Sequence, residues 1–197
     1  MKKVGVILAR FQPIHNGHLE LIKKAISENE EVVIFIGSAD KMNMRNPIPY
    51  NMRKDLVYAA LKQAFGENVL EKVKVIGLDD LTDETDNSHD WGFYLYSKVV
   101  SITQSSNFTI YYSDGFEIIT SWFPGFLLRN NVSLSLLARN SVEDGISATK
   151  VRNLMTIGLE GDNHKPCEEE LSKVVPPCVF EKRYQIKAYL EVFSRNR

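Results

Sequence analysis

The stretch Val4-Gly5-Val6-Ile7-Leu8, followed by Ala9-Arg10-Phe11-Gln12-Pro13-Ile14-His15-Asn16-Gly17-His18, decides how this chain folds. The apolar run reads as a buried strand, and the segment containing Pro13 and Gly17 reads as a tight turn. Leu19, Ile22 and Ile26 then recur at helical spacing, so a helix opens near His18. Two histidines three residues apart therefore share one turn at a helix N-terminus. That end of a helix carries unbonded N–H groups and partial positive charge, and it favours an anion. Two imidazoles placed there can donate to the same phosphate. Gly17 has no Cβ and lets a large ligand approach the backbone.

Working outward, strands are predicted at Lys3–Ala9, Glu31–Ile36, Val73–Leu78, Phe108–Tyr112 and Ser133–Ala138. Helices are predicted near Asn16–Ser27, Tyr50–Phe65, Trp91–Thr103, Gly115–Phe123 and Thr149–Ile157. Such alternation implies an α/β protein: a Rossmann-like, doubly wound parallel sheet with right-handed crossovers. Ligands then bind beyond the carboxyl ends of the strands, where the strand order switches. After Gly161 the pattern changes to helices alone, at Glu168–Val175 and Val179–Phe193, separated by Pro176-Pro177. The whole of residues 1–197 reads as one domain whose C-terminal helical part begins at about residue 162.

A second chemically dense stretch is Gly145-Ile146-Ser147-Ala148-Thr149-Lys150-Val151-Arg152. Ser147 is a good N-cap residue, and Val151, Leu154 and Met155 supply the apolar face of a helix. Ser147, Thr149, Lys150 and Arg152 would then crowd its first turn. A third is Phe35-Ile36-Gly37-Ser38-Ala39-Asp40, with Met44-Arg45-Asn46-Pro47-Ile48 leading to the helix at Tyr50.

His15-Asn16-Gly17-His18 behind a first strand resembles the signature of the HxGH nucleotidylyltransferase superfamily. Ile146–Arg152 resembles its ISxTxxR motif. The third stretch is similar to the "IGSA…RNPF…R" segment of archaeal-type nicotinamide-nucleotide adenylyltransferases. The resemblance spans roughly Lys3 to Leu190 and implies the nucleotidylyltransferase fold. It also implies transfer of AMP from ATP to nicotinamide or nicotinate mononucleotide, forming NAD or its nicotinate counterpart and pyrophosphate. It assigns His15, His18, Arg45 and Arg152 to catalysis at the phosphates. Ala9, Arg10, Phe11, His15, Gly17, His18, Ser147, Thr149 and Arg152 are assigned to ATP. Gly37, Ser38, Asp80, Asn87 and Trp91 are assigned to the acceptor.

Magnesium is expected to ride on the ATP phosphates with water, without a protein metal site. The departures from the family pattern are Ala9 for glycine, Ala148 for the glycine of ISGT, Ile48 for phenylalanine, and Tyr112-Ser113-Asp114-Gly115 for Tyr-Ser-Gly-Asn. They bear on the acceptor more than on the reaction type. Two other readings stand beside this one: a sister transferase (cytidylyl-, pantetheine-phosphate or FMN adenylyltransferase), and a catalytically weak nucleotide sensor. Arg45-Asn46-Pro47 with Trp91 argues against the first, and intact His15, His18 and Arg152 against the second.

The loop from Leu78 to Trp91 is acidic and polar, with Asp79, Asp80, Asp83, Glu84, Asp86, Asn87 and Asp90. Like charges make it a poor triphosphate site. It suits a cationic pyridinium ring, with Trp91 as a flat face worth roughly 0.5–2 kcal/mol. The other use of Trp91 is core packing at the start of a helix. For Arg45 the alternative is a solvated loop charge. The aromatic-rich region Tyr111, Tyr112, Phe116, Trp122, Phe123 and Phe126 is assigned to the core or to a homo-oligomer contact, and Lys182, Arg183 and Lys187 to the wet face of the last helix.

Charged residues make up 25% and apolar ones 44% of the 197 residues, as in ordinary globular chains. A formal net charge of −1 provides no broad basic field for nucleic acid. No apolar run is long enough for a bilayer, and Met1-Lys2-Lys3 leads into a strand and not a signal sequence. Cys167 and Cys178 offer no disulfide framework, which suits the cytoplasm.

Overall fold

In a computed structural model, residues 2–82, 89–138, 146–156 and 164–194 are described. Five strands, β1 (Val4–Ala9), β2 (Glu31–Gly37), β3 (Val73–Leu78), β4 (Phe108–Ser113) and β5 (Val132–Leu137), form one parallel sheet in the order β3-β2-β1-β4-β5. The order reverses beside β1, whose Ile7 faces Ile34 of β2 on one side and Tyr111 of β4 on the other. The site-bearing turn after β1 thus leaves the sheet at its switch point.

The strands read as near-continuous apolar runs because both sheet faces are covered. Side chains alternate between two cores with the pleat. Ile7, Val32, Ile34 and Ile36 face one layer, made of α1 (Asn16–Glu28), α2 (Tyr50–Phe65), α6 (Ala148–Thr156), α7 (His164–Val174), α8 (Pro177–Glu181) and α9 (Arg183–Ser194). Val4, Val6, Val33 and Phe35 face the other, made of α3 (His89–Thr103), α4 (Ile119–Trp122) and α5 (Gly125–Asn130). The C-terminal helices share the first core through Leu171, Val174, Val179, Ile186 and Leu190.

Several boundaries differ from expectation. The helix expected over Gly115–Phe123 is a turn with Gly115 at φ 89°, then the short α4, then α5. Pro124 separates the last two, since it adopts an extended N-cap conformation and cannot continue α4. Helix α7 starts at His164, ahead of the expected Glu168, and the last predicted helix breaks at Lys182 into α8 and α9. Arg183 is not on a wet face. Its guanidinium lies 4.2 Å from the Phe180 ring centroid and 4.5 Å from that of Tyr184, and it pairs with Glu168.

Two ties matter below. Gly92 of α3 touches α4 so closely that a Cβ there would stand 2.2 Å from the Trp122 carbonyl oxygen. At the far end of the sheet the Tyr111 hydroxyl donates to Glu28 at 2.8 Å and accepts from Asn29 Nδ2 at 2.7 Å. Burial pushes the Tyr111 phenol up to about 12, with help from the Glu28 bond and charge and against the Asn29 donation.

Candidate active site

A cleft of about 1110 Å³ opens at the carboxyl ends of the strands. Its walls carry Ala9, Arg10, Phe11, His15, Gly17 and His18 from the first signature, Gly37 and Ser38 after β2, Arg45 from the following loop, Asp80 and Trp91, and Ser147, Thr149 and Arg152 from the second signature. Every site residue singled out in the sequence lines this one cleft except Asn87, which lies outside the described residues.

The cationic end is built from two helix N-termini. At α1 the extended His15 is the N-cap, and its N–H donates to His18 Nδ1 at 3.3 Å. With Nδ1 an acceptor, the proton of a neutral His18 sits on Nε2, where it can be donated. The two imidazoles stack with centroids 3.7 Å apart, and Phe11 backs His18 at 4.8 Å. Gly17 sits close under the His15 ring: a Cβ there would stand 3.1 Å from His15 Nδ1, so the imidazole would have to give by a few tenths of an ångström. At α6 the Ser147 Oγ accepts from the Lys150 N–H at 3.2 Å, and Thr149 Oγ1 accepts from Arg152 Nη2 at 3.1 Å. Both hydroxyls accept in these contacts and keep a proton to donate.

Arg152 Nη1 also donates to the Gln12 backbone carbonyl at 3.0 Å, while the Gln12 side-chain Oε1 accepts from the Ile48 N–H at 3.0 Å and its Nε2 donates to the Ile48 carbonyl at 3.3 Å. Gln12 thereby joins all three motifs, a role its sequence position did not reveal. Burial first, and the nearby Arg10 charge second, pull the Arg152 pKa below the ordinary guanidinium value. An anion between Arg10 and Arg152 would relieve that repulsion.

Arg45 stands at the tip of a tight turn. Asn43 and Asn46 exchange backbone hydrogen bonds at 3.2 and 2.9 Å, and Asn43 Oδ1 accepts from the N–H groups of Arg45 and Asn46, each at 3.0 Å. Among the described residues no hydrogen bond holds the exposed Arg45 guanidinium. Asn43 was missed in the sequence, although an Asx turn before Asn-Pro is a recognisable signal. Arg53 was missed too. It is fully buried and donates to the carbonyls of Arg10, Gly37 and Ser38, each at 2.8 Å.

The other end is acidic and aromatic. Ser38 Oγ donates to Asp80 Oδ1 at 3.0 Å, and the Asp80 N–H donates to Asp40 at 3.0 Å. Trp91 is core, as one of its two sequence readings had it, and it also lines the cleft. Its Nε1 is buried with no acceptor among the described residues. Nor is it a lone aromatic. Trp122 lies beside it, centroids 5.3 Å apart and planes 21° from parallel, with Phe116 edge-on to Trp122 at 5.7 Å. In the aromatic-rich region Tyr111, Trp122 and Phe123 are core, as expected, and Tyr112 and Phe116 pack against it; what the sequence did not show is that Tyr112, Phe116 and Trp122 also line the cleft. The turn at Gly115 and the short α4 turn these rings inward, which the predicted single helix did not do.

Two phosphate-ready helix ends facing an aromatic wall across one cleft define a nucleotide-handling enzyme. Residues 6–154 match the family described as cytidylyltransferase-like, and the chain belongs to that family of nucleotidyltransferases. It is similar to the nicotinamide-nucleotide adenylyltransferase of Thermococcus kodakarensis, 30% identical over 193 residues that cover 95% of this chain and 85% of the relative. The enzyme of the same name from Thermococcus onnurineus is 29% identical, with 92% and 84% covered. Among solved structures, a bifunctional NMN adenylyltransferase/ADP ribose pyrophosphatase from Francisella tularensis, complexed with AMP and Mn ion, shares the fold. Its TM-score is 0.69 at 22% identity; all of this chain is covered, and the chain spans about half the length (53%) of that protein.

Proposed function

We propose that this enzyme transfers AMP from ATP to nicotinamide or nicotinate mononucleotide, releasing pyrophosphate. The observation that carries the reading is that one cleft is lined both by the N-termini of α1 and α6, whose helices pack on one face of the sheet, and by the Trp91–Trp122 pair from the other face, with Asp80. The names of the Thermococcus relatives point the same way.

The acceptor 5′-phosphate attacks the α-phosphorus of ATP, the bond to the β-phosphate oxygen breaks, and pyrophosphate leaves. A phosphate nucleophile is already ionised at neutral pH, so no general base is needed. The obstacle is anion meeting anion, and positioning with electrostatic stabilisation overcomes it. His15, His18, Arg10 and Arg152 cradle the triphosphate, Ser147 and Thr149 donate to its far phosphates, and Arg45 reaches over the transferring group. The pyridine ring lies against the aromatic wall, and a carboxamide oxygen meets the Trp91 Nε1–H.

Among the described residues no cluster of three His, Cys, Asp or Glu is arranged to hold a metal. The donors facing the phosphates are cations and hydroxyls. These residues fit magnesium carried by the phosphates themselves, where it would neutralise charge on the leaving group. We take the chain as one domain, because α7 to α9 share a core with α1 and α2. We place it in the cytoplasm on its two free thiols, Cys167 and Cys178. No described helix is long and apolar enough to cross a membrane.

The test is pyrophosphate release from ATP with a panel of phosphorylated acceptors. Turnover with pyridine mononucleotides alone supports the reading. Turnover with a different acceptor, or nucleotide binding without turnover, overturns it.

A further inference from the structure

Arg53 is the largest side chain buried completely among the described residues, and no carboxylate there bonds it. Burying a charge costs several kcal/mol unless it is well paired, and an apolar side chain of similar volume often serves stability as well or better. Burial, the largest effect, pushes this guanidinium down to about 10; the Tyr50 and Asp80 charges oppose the shift, and the Arg10 charge adds to it. Packing alone does not account for an arginine here.

The partners of Arg53 indicate its task. One nitrogen takes the carbonyls of Arg10 and Gly37, and the other takes that of Ser38. These carbonyls belong to the two turns that leave β1 and β2, and each turn contains a non-glycine residue in the left-handed region, Phe11 and Ser38, both at φ 50°. Such a residue is strained and persists only where its surroundings over-determine it. A trans peptide is planar, so a carbonyl turned toward Arg53 sends the N–H of the next residue the opposite way. The Ala39 N–H is used by Leu78 at 3.1 Å. The other two N–H groups belong to Phe11 and Ser38, which both line the cleft.

We infer that Arg53 is a positioning residue: it clamps the two strained turns together, aims the Phe11 and Ser38 amides at an anion in the cleft, and sets the base from which Arg10 reaches it. The inference rests on the phosphate-transfer reading for what the anion is. A lysine keeps the charge but not the planar fork that bridges the two turns.

The test uses the full chain with Arg53→Lys and Arg53→Met. Inorganic pyrophosphate is the probe, measured by calorimetry and by amide chemical shifts, alongside kcat and thermal melting. The expected result for Arg53→Lys, at a temperature where it is fully folded, is a tenfold or greater loss of kcat and a fivefold or greater loss of pyrophosphate affinity. The Phe11 and Ser38 amides should shift with pyrophosphate in the parent and lose that response in the variant. If Arg53→Met does not fold, Arg53→Lys carries the test alone. A folded variant of either kind with parental kcat, pyrophosphate affinity and amide response overturns the inference, however much its melting point falls. Pyrophosphate binding does not depend on the acceptor. A parent that binds it yet adenylates no pyridine nucleotide would refute the proposed function and leave Arg53 to be judged on the binding data.

Discussion

Arg152 donates to the Gln12 backbone carbonyl at 3.0 Å, across 140 residues of sequence, and so holds the two signature motifs in one frame. The same guanidinium contacts Thr149. Arg152→Lys keeps a cation but cannot make both contacts in one plane. Its expected effect is a tenfold or greater loss of kcat/KM for ATP, read from steady-state pyrophosphate release. Unchanged kinetics would limit Arg152 to a structural tie.

His18 presents Nε2 because its Nδ1 accepts from the His15 N–H. His18→Ala should lower kcat by roughly 10²-fold or more, as for loss of one preorganised donor to developing charge. Loss of the cap contact should cost only about 0.5–2 kcal/mol. A folded variant that turns over at the parental rate removes His18 from the reaction.

Arg45 is exposed, and among the described residues it is held through its backbone alone, by Asn43. Arg45→Lys should leave the melting temperature unchanged and reduce kcat by about tenfold or more, with a smaller change in KM for ATP, because the planar fork is lost at the transferring phosphate. Parental kinetics would return Arg45 to a solvated loop charge.

The Trp91–Trp122 pair calls for two substitutions. Trp91 is core as well as wall, so Trp91→Ala should cost about 3–5 kcal/mol of stability and is a poor probe alone. Trp91→Phe keeps a π-face and should hold KM for the mononucleotide within a few-fold of the parent. Trp122 is core as well, so Trp122→Ala carries the same cost of about 3–5 kcal/mol; read at a temperature where it is fully folded, it should raise that KM about tenfold, from stacking worth about 1–3 kcal/mol, and leave KM for ATP unmoved. Equal damage to both substrates would show that the pair acts through the fold.

Tyr111 supplies a pH signature. Its pKa in the folded protein, about 12, lies above the ordinary value of 10.0, so the folded state holds the phenolic proton more tightly than the unfolded chain does. The stability this contributes is complete below pH 10 and is lost as pH rises from about 10 through 12. Tyr111→Phe should flatten the fall of the melting temperature over that window. A slope identical to the parent's would show that Tyr111 does not couple to folding.

The sheet was legible because both of its faces are buried, which leaves Val32 to Ile36 uninterrupted by polar residues. The N-termini of α1 and α6 that line the cleft were legible because helix starts use short local motifs. The acceptor wall was not. Trp122 comes to Trp91 through the turn at Gly115, the stop at Pro124 and the close approach at Gly92, and none of these leaves a periodic signal. Arg53 was hidden for a different reason. An arginine in the first turns of a helix ordinarily faces water, and only the convergence of two turns from different strands buries it.

The sheet also separates the two halves of the cleft, with the histidine and Arg152 helices packed on one face and Trp91 with Trp122 on the other. Substitutions that reshape the tryptophan layer can accumulate without disturbing the packing behind the triphosphate. Redirecting the choice of partner would therefore begin with the cleft-facing side chains of Tyr112 and Phe116 and leave Gly92 untouched, because any Cβ there meets the Trp122 backbone.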